Sequence, residues 1–171
     1  MMTIGIDPGW ATFGIAINLD GKTIFKNSYS PSSFRAREIF ISNLNKDILL
    51  NTKAYANNPG ETDIFIERFV AYSGINSSAS EDILMLIGAL DYFFALEYKK
   101  PTLVKAIDWK IKICQYLVKT KGFSNPGRNL DKKFSLLAAE VLSGEKFTSD
   151  HEADATCMSY LTEDILKGKI S

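Results

Sequence analysis

The chain has 171 residues, of which 46% are hydrophobic and 23% are charged, and its formal net charge is zero. This composition excludes a largely disordered or fibrous chain, and no apolar run is long enough to cross a bilayer. The start carries no basic segment typical of a secretory signal peptide, and the two cysteines suit a reducing compartment.

Short apolar runs bounded by turn residues predict five strands, at 3–6, 13–17, 22–25, 63–67 and 102–107. The second and third strands are joined by the hairpin turn Asp20-Gly21. Helical spacing of apolar residues predicts helices at 33–55, 78–98, 109–119, 130–142 and 150–167. The order βββαβαβααα predicts an α/β fold, a mixed five-stranded sheet flanked by helices, in one domain spanning 1–171.

Three acidic residues stand out because the elements that carry them are otherwise apolar. Asp7 ends the first strand, Glu67 ends the fourth, and Asp154 lies in the first turns of the last helix. His151, one turn before Asp154, lies on the same side of this helix, the side expected to face the sheet. Asp150 competes with His151 for that inward position. We therefore expect these side chains to converge where the two strands end.

Crowded carboxylates repel one another, and divalent cations relieve that repulsion. Mg²⁺ prefers a few carboxylate oxygens plus water, and two such ions can promote phosphodiester hydrolysis. Each residue also has a simpler interpretation. Asp7 suits a turn, Glu67 suits a pair with Arg68, Asp150 suits a helix N-terminus, and His151 suits an exposed surface. Only their joint pattern favours a metal site.

The zero net charge conceals a strong polarity along the chain. Residues 99–133 carry ten basic side chains against two acidic ones, which gives +8 and leaves −8 for the remainder. Such a segment favours phosphate binding, although Lys99, Lys119 and Lys121 suit an ordinary solvated surface. Trp109 within it is expected to belong to the core. The phosphate-binding candidates are Lys105, Lys110, Lys112, Arg128, Lys132 and Lys133.

Four motifs occur in order along the chain: Gly5-Ile6-Asp7-Pro8-Gly9 followed by Gly14, Ile66-Glu67, Pro101 with Val104-Lys105, and His151-Glu152-Ala153-Asp154-Ala155. In this order they resemble the RuvC family of Holliday junction resolvases, most of all its phage-encoded members. The resemblance implies an RNase H-like fold. It also implies a homodimer in the cytoplasm of a bacterial host that cuts opposed strands of four-way DNA junctions in recombination and repair.

The resemblance further implies a set of ligands for Mg²⁺ or Mn²⁺, with two ions per site. Carried over by position, they are Asp7, Glu67, Asp154 and His151, with Asp150 as the alternative for the last. The family often has an aromatic residue three positions after the glutamate that enters the junction centre. Here Val70 occupies that position, with the aromatic residues Phe69 and Tyr72 on either side, and of these two Phe69 is the candidate for this DNA contact.

The helix predicted at 78–98 is apolar nearly all round, so we expect one face on the sheet and the other on a second subunit. The alternative is that the C-terminal helices cover the outer face. Two other functions stay open beside junction resolution. One is a broader nuclease for forks, flaps and other replication intermediates, and the other is a non-catalytic binder of branched DNA.

Overall fold

A computed structural model describes residues 1–9, 12–29, 46, 50, 52, 59–70, 77–127 and 129–168 of the chain. Five strands form one sheet: β1 (Met2–Asp7), β2 (Phe13–Leu19), β3 (Lys22–Tyr29), β4 (Asp63–Glu67) and β5 (Thr102–Val104). Their order across the sheet is β3-β2-β1-β4-β5. The first three strands pair antiparallel, whereas β1, β4 and β5 run parallel. The predicted five-stranded mixed sheet is confirmed.

The described helices are α1 (Ser77–Glu97), α2 (Ala106–Lys121), α3 (Lys132–Ser143), α4 (Asp150–Ser159) and the short α5 (Glu163–Leu166). A 3₁₀ turn at Pro59–Glu61 precedes β4. The helix predicted at 33–55 lies outside the described residues except for Lys46, Leu50 and Thr52, which are helical. In the part of the chain described, no helix combines the length and apolarity needed to cross a membrane.

Several predicted boundaries differ from the observed ones: the third strand, predicted at 22–25, continues to Tyr29, and two other differences change how the C-terminal half is read. Lys105 was placed in the fifth strand, but β5 ends at Val104 and Lys105 is the N-terminal cap residue of α2. Its carbonyl oxygen accepts a hydrogen bond from the backbone N–H of Trp109, which starts the helix earlier than expected. The helix predicted at 150–167 is two helices, because Thr162 accepts a hydrogen bond from the Ile165 N–H and begins α5 anew.

Each face of the sheet has its own hydrophobic core. On one side, which we call the α1 face, Leu86, Ile87, Leu90 and Phe94 of α1 pack on the isoleucines of β1, β2 and β4. On the other, the α4 face, helices α2 to α5 pack around Phe65, Trp109 and Phe134. The C-terminal helices therefore belong to the core opposite to α1.

Candidate active site

Strand pairing brings two of the predicted acidic residues to the same edge of the sheet. Ile6 of β1 is paired with Ile66 of the parallel strand β4, so the next residues, Asp7 and Glu67, are neighbours. The carboxyl ends of parallel strands meet at one edge. Asp7 is 8% exposed, and Glu67 is also largely withdrawn from solvent.

Two glycines let helix α4 lie directly against the strands on this face. A methyl group built on Gly5 would overlap the carbonyl oxygen of Ala155, and one on Gly14 would overlap the carbonyl oxygen of His151. Any larger residue at either position would therefore displace the helix. This close approach holds the first turns of α4 beside the end of β1.

Helix α4 is also fixed at its start. The Ser149 hydroxyl accepts a hydrogen bond from the backbone N–H of Glu152 and so caps the helix. Lys26 of β3 donates to Oε1 of Glu152 at 2.7 Å, which ties the helix to the far side of the sheet. Glu152 thus holds the helix in place and takes no part in the group formed by Asp7, Glu67, Asp154 and His151, which we call the acidic cluster.

His151 reaches the carboxylate at the end of β1. Its Nδ1 lies 2.6 Å from Oδ2 of Asp7, and this hydrogen bond raises the pKa of His151 against the opposing effect of burial. Asp150, by contrast, forms an ion pair with Lys132 of α3, which lowers the pKa of Asp150. Of the two side chains competing for the inward position, His151 is the one that contacts Asp7.

Glu67 accepts a hydrogen bond from a buried indole. The Nε1–H of Trp109 donates to Oε2 of Glu67 at 2.8 Å. Burial raises the pKa of Glu67 to about 7, the negative charge of Asp7 adds to that rise, and the hydrogen bond from Trp109 opposes it. Below about pH 7 this carboxyl therefore binds a proton in the absence of a cation.

The two oxygens of the Asp154 carboxylate have different surroundings. Its Oδ1 is buried and has no hydrogen-bond partner among the described residues, and its Oδ2 lies 3.3 Å from the ammonium nitrogen of Lys110. Burial raises the pKa of Asp154, and the charge of Lys110 opposes that rise. A buried oxygen without a donor is costly, and a bound cation would satisfy it.

The donor chemistry of this cluster suits Mg²⁺ or Mn²⁺, because it consists of three carboxylates and one imidazole. Asp7, Glu67, Asp154 and His151 are the residues that could hold such an ion. Within the described ranges, however, no three such side chains already stand close enough to enclose one cation. Binding therefore requires His151 and Asp7 to exchange their mutual hydrogen bond for contacts to the metal.

The predicted DNA-binding residues divide into two groups. Lys110 and Lys132 form ion pairs with Asp154 and Asp150, so they face the acidic cluster. Lys105, Lys112 and Lys133 form no ion pair with any residue that the structure describes. Arg128 lies outside the described residues.

Two further DNA-contact predictions meet competing contacts in the structure. Beside the predicted phosphate contacts Lys132 and Lys133, two of the first N–H groups of α3 are not free to bind phosphate. The Asp131 carboxylate accepts from the N–H groups of Lys133 and Phe134. Phe69 is half-buried and packs against the core of the α1 face, whereas Val70 is exposed.

Sequence reasoning missed the contacts that orient the carboxylates. Trp109 was correctly expected in the core, where it is fully buried. A buried indole N–H needs an acceptor, which was the available signal, but nothing in the sequence identified that acceptor as Glu67. Likewise, Lys110 was interpreted only as a phosphate contact, although it lies one position after Trp109 and reaches Asp154.

No family model matches the chain, and no curated protein is significantly similar to it in sequence. Among solved structures, it is similar to T. thermophilus RuvC in complex with a Holliday junction substrate, with a TM-score of 0.66 at 14% identity over 93% of this chain and 90% of that chain. It is also similar to a Thermus thermophilus RuvC structure, with a TM-score of 0.63, 16% identity and coverage of 93% and 91%. This likeness confirms the RNase H-like fold.

Proposed function

We propose that this protein is a divalent-metal-dependent endonuclease that resolves four-way DNA junctions as a homodimer. The observation that carries the proposal is the convergence of Asp7, Glu67, His151 and Asp154 at one sheet edge. The fold supports it, because a similar solved structure is a RuvC in complex with a Holliday junction substrate. The ordered match of four sequence motifs to the RuvC family adds an independent argument.

Two Mg²⁺ or Mn²⁺ ions bound at this cluster would neutralise charge on the scissile phosphate and lower the pKa of the attacking water. The protein's own groups prepare that site. The side chain of Asp154 is only 15% exposed, and Trp109 fixes one oxygen of Glu67 by a hydrogen bond. His151 must give up its Nδ1 contact to Asp7, and any proton it carries there, before it acts as a ligand.

Lys110 and Lys132 supply positive charge beside the acidic cluster. Each ammonium group balances one carboxylate, Asp154 and Asp150 respectively. When cations neutralise the acidic cluster, these two lysines become available to phosphate oxygens. The same two residues thus stabilise the metal-free site and contact the substrate in the loaded one. Asp150 serves in this account as the partner of Lys132 and only secondarily as a metal ligand.

The outer surface of α1 supports the homodimer. Leu84, Met85, Tyr92 and Leu96 are 56%, 62%, 70% and 66% exposed. They recur at helical spacing around Gly88, whose position is open to solvent. A twofold pairing of this surface would bury the apolar stripe and present two active sites to a twofold junction. Each subunit would then contribute one domain, as the length of the chain suggests.

The decisive experiment compares the wild type with Asp7→Asn on a synthetic four-way junction in Mg²⁺. We expect the wild type to nick opposed strands in pairs. We expect Asp7→Asn to lose about 1,000-fold in rate, because several kcal/mol of transition-state stabilisation through the metal disappears. Junction affinity of the variant should stay close to that of the wild type. Full cleavage by Asp7→Asn, or by the wild type in excess chelator, would contradict the proposal.

The same assay separates junction resolution from its alternatives. Forks, flaps and linear duplexes of matched sequence are tested beside the four-way junction. Cleavage of all branched substrates at equal rates would identify a broader branched-DNA nuclease. Tight metal-independent binding with no nick in any substrate would identify a non-catalytic binder. The host setting implied by the sequence resemblance, a phage-encoded enzyme in the bacterial cytoplasm, belongs to this proposal as well.

A further inference from the structure

A groove of about 520 Å³ lies at the edge of the sheet beside the acidic cluster, between β5, the first half of α2 and the end of α5. This volume is within the range of roughly 300–1,000 Å³ typical of small-molecule sites. We call it the β5 groove, and it is lined by Arg68, Leu103, Val104, Lys105, Asp108, Ile111, Lys112 and Leu166.

The cations of the β5 groove differ from most others near the acidic cluster. Arg68, Lys105 and Lys112 form no ion pair among the described residues. In contrast, Lys110 and Lys132, which face the acidic cluster, are both paired with carboxylates. Three cations against the single carboxylate of Asp108 give the cavity an excess of positive charge, which attracts an anion such as a phosphate group.

The interior of the groove suits the other part of a nucleotide. Leu103 and Ile111 are 45% and 39% exposed, so they offer an apolar surface that a base can cover. Asp108 is the single acidic residue in the lining. A carboxylate repels phosphate but accepts a hydrogen bond from the exocyclic amino group of a base. Groups suited to a phosphate, to the face of a base and to the edge of a base therefore line one cavity.

The groove begins within one residue of the proposed metal ligands. Arg68 follows Glu67 directly, and its backbone N–H donates to the carbonyl oxygen of Val104 at 2.7 Å. Val104 is in turn the strand partner of Glu67. A DNA strand whose scissile phosphate lies at Glu67 would thus carry its next nucleotide into the groove.

We infer that the β5 groove binds one unstacked nucleotide of the cleaved strand, next to the scissile phosphate. This inference rests on the proposed function. Arg68, Lys105 and Lys112 hold its flanking phosphates, Leu103 and Ile111 cover one face of the base, and Asp108 accepts a hydrogen bond from its amino group. The groove thereby prefers cytosine, adenine or guanine over thymine, which lacks an exocyclic amino group.

The first test measures binding without cleavage, in the inactive Asp7→Asn background. Junctions carry the fluorescent base 2-aminopurine at each position around the cleavage point in turn. We expect one position beside the scissile phosphate to change its fluorescence on binding, and Arg68→Ala combined with Lys112→Ala to abolish that change. The same double variant should reduce the slope of log affinity against log salt by about two, one for each phosphate contact.

The control is Lys121→Ala, which removes an exposed lysine at the far end of α2 and should preserve both the fluorescence change and the salt slope. A second variant, Asp108→Ala, should keep its affinity and lose about tenfold discrimination against thymine at the same position. If the wild type cleaves junctions while the double variant behaves like Lys121→Ala, the groove does not bind DNA and the inference is overturned. A wild type that cleaves no branched DNA contradicts the proposed function instead, and that result is read from a separate assay.

Discussion

The two faces of the sheet are built from the same strands but are covered in opposite ways. On the α4 face, helix backbone rests on strand backbone at Gly5 and Gly14, and Glu152 and Asp154 of α4 are each paired with a lysine. On the α1 face, aliphatic side chains separate helix from sheet, and the outer side of α1 exposes Leu84 and Tyr92. On the α4 face, helix and sheet are in direct backbone contact. On the α1 face, the side of the helix that points away from the sheet exposes apolar side chains.

This difference suits the two faces to different roles, one in positioning side chains and the other in association. Close contact at the α4 face fixes His151 and Asp154 relative to strand β1, and the proposed metal site would require such fixed positions of its ligands. The α1 face needs no such precision inside the chain, and its bare surface is available to a second subunit. Substitutions on the two faces should therefore differ in kind as well as in size.

The largest effect is expected from Gly5→Ala, because the added methyl group would overlap the Ala155 carbonyl and push α4 off the sheet. We expect a loss of about 3 kcal/mol or more in the free energy of unfolding. The matched control is Gly88→Ala on α1, where the methyl group meets open space. That variant should be more stable by about 0.5–1 kcal/mol. Urea denaturation of both, at a protein concentration where the chain is monomeric, measures the contrast.

The next effect concerns pH. Because the pKa of Glu67 is raised to about 7 in the folded state from an ordinary value of 4.5, the folded state binds more protons between those values. The stability of the metal-free protein should therefore fall as pH rises through that window, by up to about 3 kcal/mol. The raised pKa of His151 acts in the same direction above pH 6.5.

Thermal unfolding at pH 5 and pH 8, with chelator or with Mg²⁺, checks this prediction. Mg²⁺ should raise Tm more at pH 8 than at pH 5, because the ion and the protons compete for the same carboxylates. Asp7→Asn serves as the control, since it removes a proposed ligand and should weaken the Mg²⁺ effect. An equal effect of Mg²⁺ at both pH values would argue against binding at this cluster.

A smaller effect is expected from Trp109→Phe, which keeps the aromatic volume but removes the hydrogen bond to Glu67. A hydrogen bond to a charged group contributes about 1.5–3 kcal/mol, so cleavage should slow roughly tenfold or more. The loss should shift the acid limb of the pH profile to higher pH, because this bond holds the pKa of Glu67 down. A slower enzyme with an unchanged pH profile would indicate a packing defect and no role in orienting Glu67.

The smallest change in chain stability is expected from Leu84→Lys on the α1 face, because the side chain is exposed. Its effect should fall on assembly, with the dimer replaced by monomer in sedimentation velocity. Leu137→Lys is the control, since Leu137 is 50% exposed but lies on α3, on the opposite face. If both variants sediment like the wild type, the outer surface of α1 is not the subunit interface.

Much of the fold could be predicted because its strands are short apolar runs bounded by turn residues. The fourth strand was predicted with its observed limits, Asp63–Glu67, and the Asp20-Gly21 hairpin occupies the positive-φ positions that its sequence suggests. Helix ends were less predictable. The carbonyl of Lys105 and the hydroxyl of Thr162 decide where α2 and α5 begin, and apolar spacing carries no information about such local hydrogen bonds.

The sequence by itself determined the five-stranded sheet and the inward placement of His151 and Asp154 on α4, since these follow from periodicity and the spacing of chemical groups. The tertiary structure alone decided which partner each charged group takes. It set His151 against Asp7, Asp150 against Lys132, and the Trp109 indole against Glu67. These pairs join residues from 18 to 144 positions apart. Such contacts depend on how the helices pack on the sheet. A local sequence pattern carries no information about which residues that packing brings together.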